Sequence, residues 1–136
     1  MIKEKLDRYI DILDKIPEHQ NKYAWLMLLG KKSQTLVEQL RLKKFEVHGC
    51  QTRTWLVPGY HPPETIHFSA DSDALISKGM VCMLADVFSG STRKNILAFE
   101  RKDLEGLNLD VLLTPGRRNG VHGMLQKIRE YALQED

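Results

Sequence analysis

The sequence predicts an α+β fold, in which a small antiparallel sheet is flanked by helices. Three observations indicate this class. Apolar residues recur at helical spacing near the amino terminus, alternate with polar residues in the middle of the chain, and return to helical spacing towards the carboxyl terminus. The 136 residues, 42% of them hydrophobic and 28% charged, are typical of one folded domain with its own core. We therefore expect residues 1–136 to form a single domain.

The amino-terminal part of the chain is predicted to be a helical hairpin. Apolar residues spaced by three and four within residues 2–14 predict an amphipathic helix. Pro17 interrupts that pattern, and a second helix is predicted from Glu18 to Leu29, ending at Gly30. Residues 33–44 fit either a short helix or an irregular connection, and both interpretations stay open.

The middle of the chain is predicted to form two strands. Residues 52–57 are rich in β-branched and aromatic side chains, and residues 65–69 alternate between polar and apolar. We expect these strands to pair antiparallel across a seven-residue loop that begins at Pro58-Gly59 and continues through Pro62-Pro63.

The remainder of the chain is predicted to be mostly helical. Asp71-Ser72-Asp73 offers N-cap oxygens for a helix that runs to about Phe88, and the wide apolar face of this helix predicts that it is the most buried one. Thr92 is placed to cap a helix through Phe99. Thr114 and Pro115 begin the last helix, with threonine as N-cap and proline at the first position.

Composition excludes several functional classes. A net charge of +2 is too small to indicate a nucleic-acid partner or an anionic membrane surface. The longest apolar segments, such as residues 24–29, are far shorter than a membrane span, and the charged first ten residues do not resemble a secretory signal. We therefore expect a cytoplasmic protein in which Cys50 and Cys82 are free thiols.

Cys50 is the first candidate for chemistry. It follows Gly49 in a loop and stands just before a predicted strand, and its polar neighbours His48, Gln51 and Arg53 are unusual company for a core residue. Free cysteines are more often small buried hydrophobes, but polar and basic neighbours can stabilise a reactive thiolate. The residues alone favour an accessible thiol without excluding the structural interpretation.

Cys82 is predicted to be structural. It lies in the middle of the most apolar predicted helix, between Val81 and Met83 and at the edge of the apolar face. We therefore expect Cys50 to be alkylated quickly and Cys82 slowly in the folded protein.

Two further chemistries use the same residues. His48, His61 and His67 could join Cys50 in a metal site, but the paired ligands at short spacing that structural zinc needs do not occur, so we expect no metal and no cofactor. A cysteine-dependent hydrolase, with Cys50 activated by a histidine, stays open because nothing in the sequence identifies that histidine.

Arg117 and Arg118 lie in the first turn of the last predicted helix, where two cations oppose the helix dipole. Residues that break a local rule can have a functional role. They raise a third possibility, a non-catalytic binding module that docks an acidic partner through this pair.

Three segments together resemble the signature blocks of the SufE-type cysteine desulfuration proteins, the SufE/CsdE family. They are HGCQTRTWL from His48, DSDALISKGM from Asp71 and LTPGRRNG from Leu113, and they occur in the family's order and approximate spacing. The resemblance covers nearly the whole chain and implies a small curved antiparallel sheet flanked by helices, as in the NifU-type scaffold proteins. Two departures are Gly116, where many members have serine, and the lysine-rich residues 33–46, which lack the family's prolines.

The resemblance implies that Cys50 accepts sulfur from the persulfide of a pyridoxal-phosphate cysteine desulfurase, of the SufS or CsdA kind. The sulfur would then pass to an iron–sulfur scaffold of the SufBCD kind, and we expect no turnover without a partner. Arg117 would lie at the desulfurase interface or beside the sulfur-bearing loop. Asp71, Asp73, His48 and Gln51 would bind the partner or support that loop.

Overall fold

The computed structural model describes residues 1–61 and 64–134, which form an α+β fold with a three-stranded antiparallel sheet. The strands are β1 (Thr54–His61), β2 (Thr65–Ser72) and β3 (Ser91–Thr92). The helices are α1 (Ile2–Asp14), α2 (His19–Lys32), α3 (Leu75–Phe88), α4 (Arg93–Ala98), α5 (Leu109–Leu112) and α6 (Pro115–Leu133). Short 3₁₀ turns lie at Glu38–Leu40, Lys43–Phe45 and Arg101–Leu107. The predicted fold class is therefore confirmed.

The two long strands pair antiparallel along their full length, from Thr54 opposite Ser72 to His61 opposite Thr65. The predicted turn at Pro58-Gly59 is wrong, since both residues lie inside β1. Proline is tolerated there because β1 is an edge strand, so one of its sides needs no ladder hydrogen bonds. The predicted seven-residue loop is also wrong, because only three residues separate the end of β1 from the start of β2. The turn expected at Pro62-Pro63 lies outside the described residues.

Helix α3 lies at the centre of the core. Eleven of its fourteen residues are buried, which confirms the prediction that it is the most buried helix. It packs against β2 and against α2, and the contact with α2 is very close. A Cβ atom added to Gly79 would lie 2.0 Å from the carbonyl oxygen of Leu26, and one added to Gly30 would lie 2.4 Å from that of Leu75.

Gly30 therefore has a different role from the predicted one. The expectation that α2 ends at this glycine is wrong, because the helix continues to Lys32. Its missing side chain allows the backbones of α2 and α3 to approach each other.

Two of the three predicted helix caps are confirmed. The Thr92 hydroxyl accepts a hydrogen bond from the Asn95 N–H at 3.1 Å, and the Thr114 hydroxyl accepts one from the Arg117 N–H at 3.3 Å. The cap predicted at residues 71–73 is wrong, because β2 extends through Ser72 and no side chain caps the N-cap position of α3.

The connection between α2 and β1 is irregular, with two short 3₁₀ turns, which agrees with the second of the two interpretations left open for residues 33–44. None of the helices in the described ranges is long and apolar enough to cross a membrane.

Candidate functional site

Cys50 lies in the loop that leads into β1. The loop is closed by a hydrogen bond of 2.8 Å from the Val47 N–H to the Thr54 carbonyl oxygen. Gly49 has a φ of +89°, in the left-handed region that glycine adopts without strain. The side-chain amide of Asn119 on helix α6 donates to the Gly49 carbonyl oxygen at 3.2 Å, and this hydrogen bond attaches the loop to α6.

The loop rests on a glycine-lined face of α6. Gly116, Gly120 and Gly123 follow the i, i+4, i+7 spacing that places residues on one side of a helix. A Cβ atom at Gly123 would lie 1.9 Å from the His48 carbonyl oxygen, and one at Gly120 would lie 3.1 Å from the sulfur of Cys50. Sequence reasoning missed this face, although the spacing of the three glycines was the available signal.

The thiol of Cys50 borders a small cavity between the loop, α3 and α6. The cavity has a volume of about 10 Å³, enough for roughly one water-sized atom. The Cys50 Sγ lies 3.7 Å from the carbonyl oxygen of Gly120, and the cysteine is half-buried. The lining residues from the two helices are Ile76, Ser77, Met80, Gly116, Arg117, Gly120 and Met124.

Opposing influences act on the acidity of this thiol. Burial raises the pKa of Cys50, while the Thr54 hydroxyl and the positive charge of Arg117 act to lower it, and the pKa stays above its usual value. The thiol is therefore mostly protonated near neutral pH in the isolated protein.

Arg117 and Arg118 point in different directions. The Arg117 Nη1 donates to the Ser77 hydroxyl at 2.7 Å, which places its guanidinium against α3 and the cavity. The Arg118 Nη1 donates to the Asp110 carbonyl oxygen at 2.8 Å, on α5. The two side chains thus do not form one cationic patch.

Asp71 is at the centre of a buried ion-pair cluster. Its carboxylate lies 2.5 Å from the Arg41 guanidinium and 3.6 Å from the Lys78 ammonium, and it accepts the N–H of Leu36 at 2.9 Å. Burial would raise the pKa of Asp71, but the hydrogen bonds from Leu36, Ser72 and Arg41 outweigh burial and lower it. These contacts attach the connection before the cysteine loop to the sheet, which explains why the carboxylate does not cap α3.

Asp73, His48 and Gln51 lie around the cysteine loop. The Asp73 carboxylate pairs with the Arg53 Nε at 2.9 Å, where the chain enters β1. The His48 side chain is exposed, and the exposed Gln51 side chain lies against Gly116. Of these three residues, Gln51 lines the cavity.

The remaining histidines of the metal hypothesis lie elsewhere. His61 and His67 pack edge to face, with ring centroids 4.6 Å apart, at the end of β1 away from Cys50. Within residues 1–61 and 64–134, no three His, Cys, Asp or Glu side chains come together as a metal-binding group.

Cys82 is half-buried like Cys50, so burial alone does not separate the two thiols. Its Sγ lies 3.6 Å from the Ala70 carbonyl oxygen, and burial raises the pKa of this thiol as well. The surroundings differ, because Cys82 borders a wide surface groove, whereas Cys50 borders a one-atom cavity beside an arginine.

Comparison with known proteins defines the class. A family model described as "SufE: Fe-S metabolism associated domain" matches residues 7–132. The chain belongs to the SufE family, whose domain is associated with iron–sulfur metabolism.

Individual relatives agree with this assignment. The chain is 29% identical over 129 residues to SufE-like protein 1, chloroplastic/mitochondrial, of Arabidopsis thaliana, covering 95% of this chain and 35% of that protein. It is 30% identical over 131 residues to an uncharacterized SufE-like protein of Rhizobium meliloti, covering 93% and 94% of the two chains. This chain therefore spans about a third of the Arabidopsis protein and nearly all of the Rhizobium one.

A solved structure supports the fold. The solution structure of a hypothetical protein from Thermus thermophilus superposes with a TM-score of 0.72 at 18% sequence identity, covering 94% of this chain and 93% of that one.

Proposed function

We propose that this chain is a sulfur carrier that accepts one sulfur atom on Cys50 from the persulfide of a pyridoxal-phosphate cysteine desulfurase. It then passes the sulfur to an iron–sulfur assembly scaffold, of the SufBCD kind. The observation that carries the proposal is the Cys50 thiol beside a one-atom cavity with Arg117 in its wall. The single domain over residues 1–136 acts in a reducing compartment such as the cytoplasm, where free thiols persist.

The proposed transfer is a thiol exchange that needs no external oxidant. The Cys50 thiolate attacks the outer sulfur of the desulfurase persulfide and forms a new S–S bond to it. The old S–S bond breaks, and the desulfurase cysteine leaves as a thiolate, which takes up the proton that Cys50 lost. A second exchange of the same kind moves the outer sulfur from Cys50 to the next acceptor.

The site residues have distinct roles in this proposal. The cavity beside the Cys50 Sγ has room for about one additional atom, where the transferred sulfur would lie. The positive charge of Arg117 favours the anionic form of the sulfur. His48 and Gln51, whose side chains are exposed next to the cysteine, are available to a docked partner, while Asp71 and Asp73 hold the segments on either side of the loop.

The proposal is tested by the stimulation of a desulfurase. Alanine production from cysteine should increase when the wild-type chain is added to a partner desulfurase, and it should not increase with Cys50→Ser. Cys82→Ser is the matched control and should stimulate like the wild type. Stimulation by Cys50→Ser at the wild-type level would contradict the proposal.

The site geometry does not favour the two alternatives. A cysteine hydrolase needs a histidine within hydrogen-bond reach of its thiol, and none of the described residues that line the Cys50 cavity is a histidine. A docking patch made of Arg117 and Arg118 would need both cations on one surface, whereas their side chains contact different helices.

A further inference from the structure

Ser77 is a buried polar residue of α3, between Ile76 and Lys78. It is 4% exposed, and it stands next to Ile76 in the wall of the Cys50 cavity. A buried hydroxyl needs a hydrogen-bond partner, and this one accepts from the Arg117 Nη1 at 2.7 Å. The hydrogen bond joins α3 to α6 across the cavity that Cys50 borders.

Arg117 is the only charged side chain among the described residues that line this cavity. From the other elements, β1 contributes the neutral Thr54 hydroxyl, and the nearby Lys78 of α3 is turned towards Asp71 and the Ser33 carbonyl oxygen. The charge that acts on the sulfur is thus carried by one long side chain. A free arginine side chain samples many rotamers, and each rotamer places its charge differently.

We propose that Ser77 is a positioning residue, whose hydroxyl holds the Arg117 guanidinium in the cavity wall so that its charge faces the sulfur on Cys50. The inference deepens the proposed function, because it assigns Ser77 a part in stabilising the anionic sulfur. The contact itself is made by the free protein and can be tested without a desulfurase.

The test is the pH profile of Cys50 alkylation by iodoacetamide in the full chain, resolved by peptide mass spectrometry. The variants are Ser77→Ala, Ser77→Thr, Arg117→Gln and the double variant Ser77→Ala/Arg117→Gln. Ser77→Ala should raise the Cys50 midpoint by about half a pH unit, less than a fully buried ion pair would give, because the site is half-exposed. Ser77→Thr keeps the hydroxyl and should restore the midpoint, while Cys82 should titrate as in the wild type throughout.

The double variant decides whether Ser77 acts through Arg117. Its Cys50 midpoint should equal that of Arg117→Gln alone, because the hydroxyl then has no guanidinium to hold. An unchanged Cys50 midpoint in Ser77→Ala would overturn the proposal. So would a rise caused by Ser77→Ala that is equally large in the wild-type and in the Arg117→Gln background. A failure of the proposed function is distinguishable, since no sulfur would then be found on Cys50 although these shifts of the Cys50 midpoint would still be observed.

Discussion

At Cys50, partial burial raises the pKa of the thiol and the nearby Arg117 cation lowers it. Burial protects a reactive sulfur but disfavours its charged form, and the Arg117 guanidinium and the Thr54 hydroxyl recover part of that loss. The position of Cys50 in a loop just before a strand could be predicted from the sequence. The contact of Ser77 could not be predicted, because only the fold brings Arg117 of α6 to this serine of α3.

The raised pKa of Cys50 gives a prediction for the unmodified protein. Alkylation of Cys50 in the folded chain should have a higher pH midpoint than in urea, where the thiol regains its ordinary value of about 8.5. The measurement is the alkylation rate of the Cys50 peptide against pH in both states. A lower midpoint in the folded chain would show that the cation outweighs burial.

Asp71 gives a second prediction, about stability. Asp71→Asn should lower the free energy of unfolding at pH 7 by about 3 kcal/mol, because Lys78 and Arg41 lose the buried carboxylate that they face. Asp73→Asn is the matched control and should cost less than about 1 kcal/mol, since its carboxylate is exposed, with Arg53 at 2.9 Å and Arg41 at the longer distance of 3.7 Å.

The same residue sets a pH dependence. The pKa of Asp71 is lower in the folded chain than in the unfolded one, so its stabilisation is present above pH ~4 and is lost as pH falls through the folded value. The difference in urea unfolding between wild type and Asp71→Asn should therefore shrink from pH 7 to about pH 2. A difference that stays constant would contradict the lowered pKa.

At the scale of elements, glycines set the distances between packed segments. Gly30 and Gly79 bring α2 against α3, and the glycine face of α6 carries the cysteine loop. The spacing of apolar residues predicted most helices, because that spacing is a property of each segment by itself. It misjudged Gly30 and Pro58, since a neighbouring helix and an unpaired strand edge determine what those residues do.

The glycine face gives a third prediction. Gly123→Ala should lower the free energy of unfolding by about 2 kcal/mol, although alanine favours a helix by about 1 kcal/mol, because the new methyl group meets the His48 carbonyl oxygen. Gly59→Ala is the control and should change stability by less than about 0.5 kcal/mol. A Cβ atom added there would lie 3.6 Å from the nearest atom, the Nε2 of His61, which is an ordinary contact distance. Equal chemical denaturation curves for the two variants would contradict the close contact.

At the scale of the whole molecule, the order of helices, sheet and helices could be predicted because each segment's pattern is local. The fold is shared with the Thermus protein at 18% identity, so it tolerates extensive change in sequence. The cavity beside Cys50 could not be predicted. It is formed by the cysteine loop, α3 and α6 together, and these segments are distant from one another in the chain.

The central claim is that Cys50, and not Cys82, receives the sulfur. The most direct measurement is intact and peptide mass spectrometry after incubation with a cysteine desulfurase and cysteine, in the absence of reductant. The account predicts one added sulfur atom on the Cys50 peptide, retained in Cys82→Ser and lost in Cys50→Ser. An added sulfur that persists in Cys50→Ser and disappears in Cys82→Ser would contradict it.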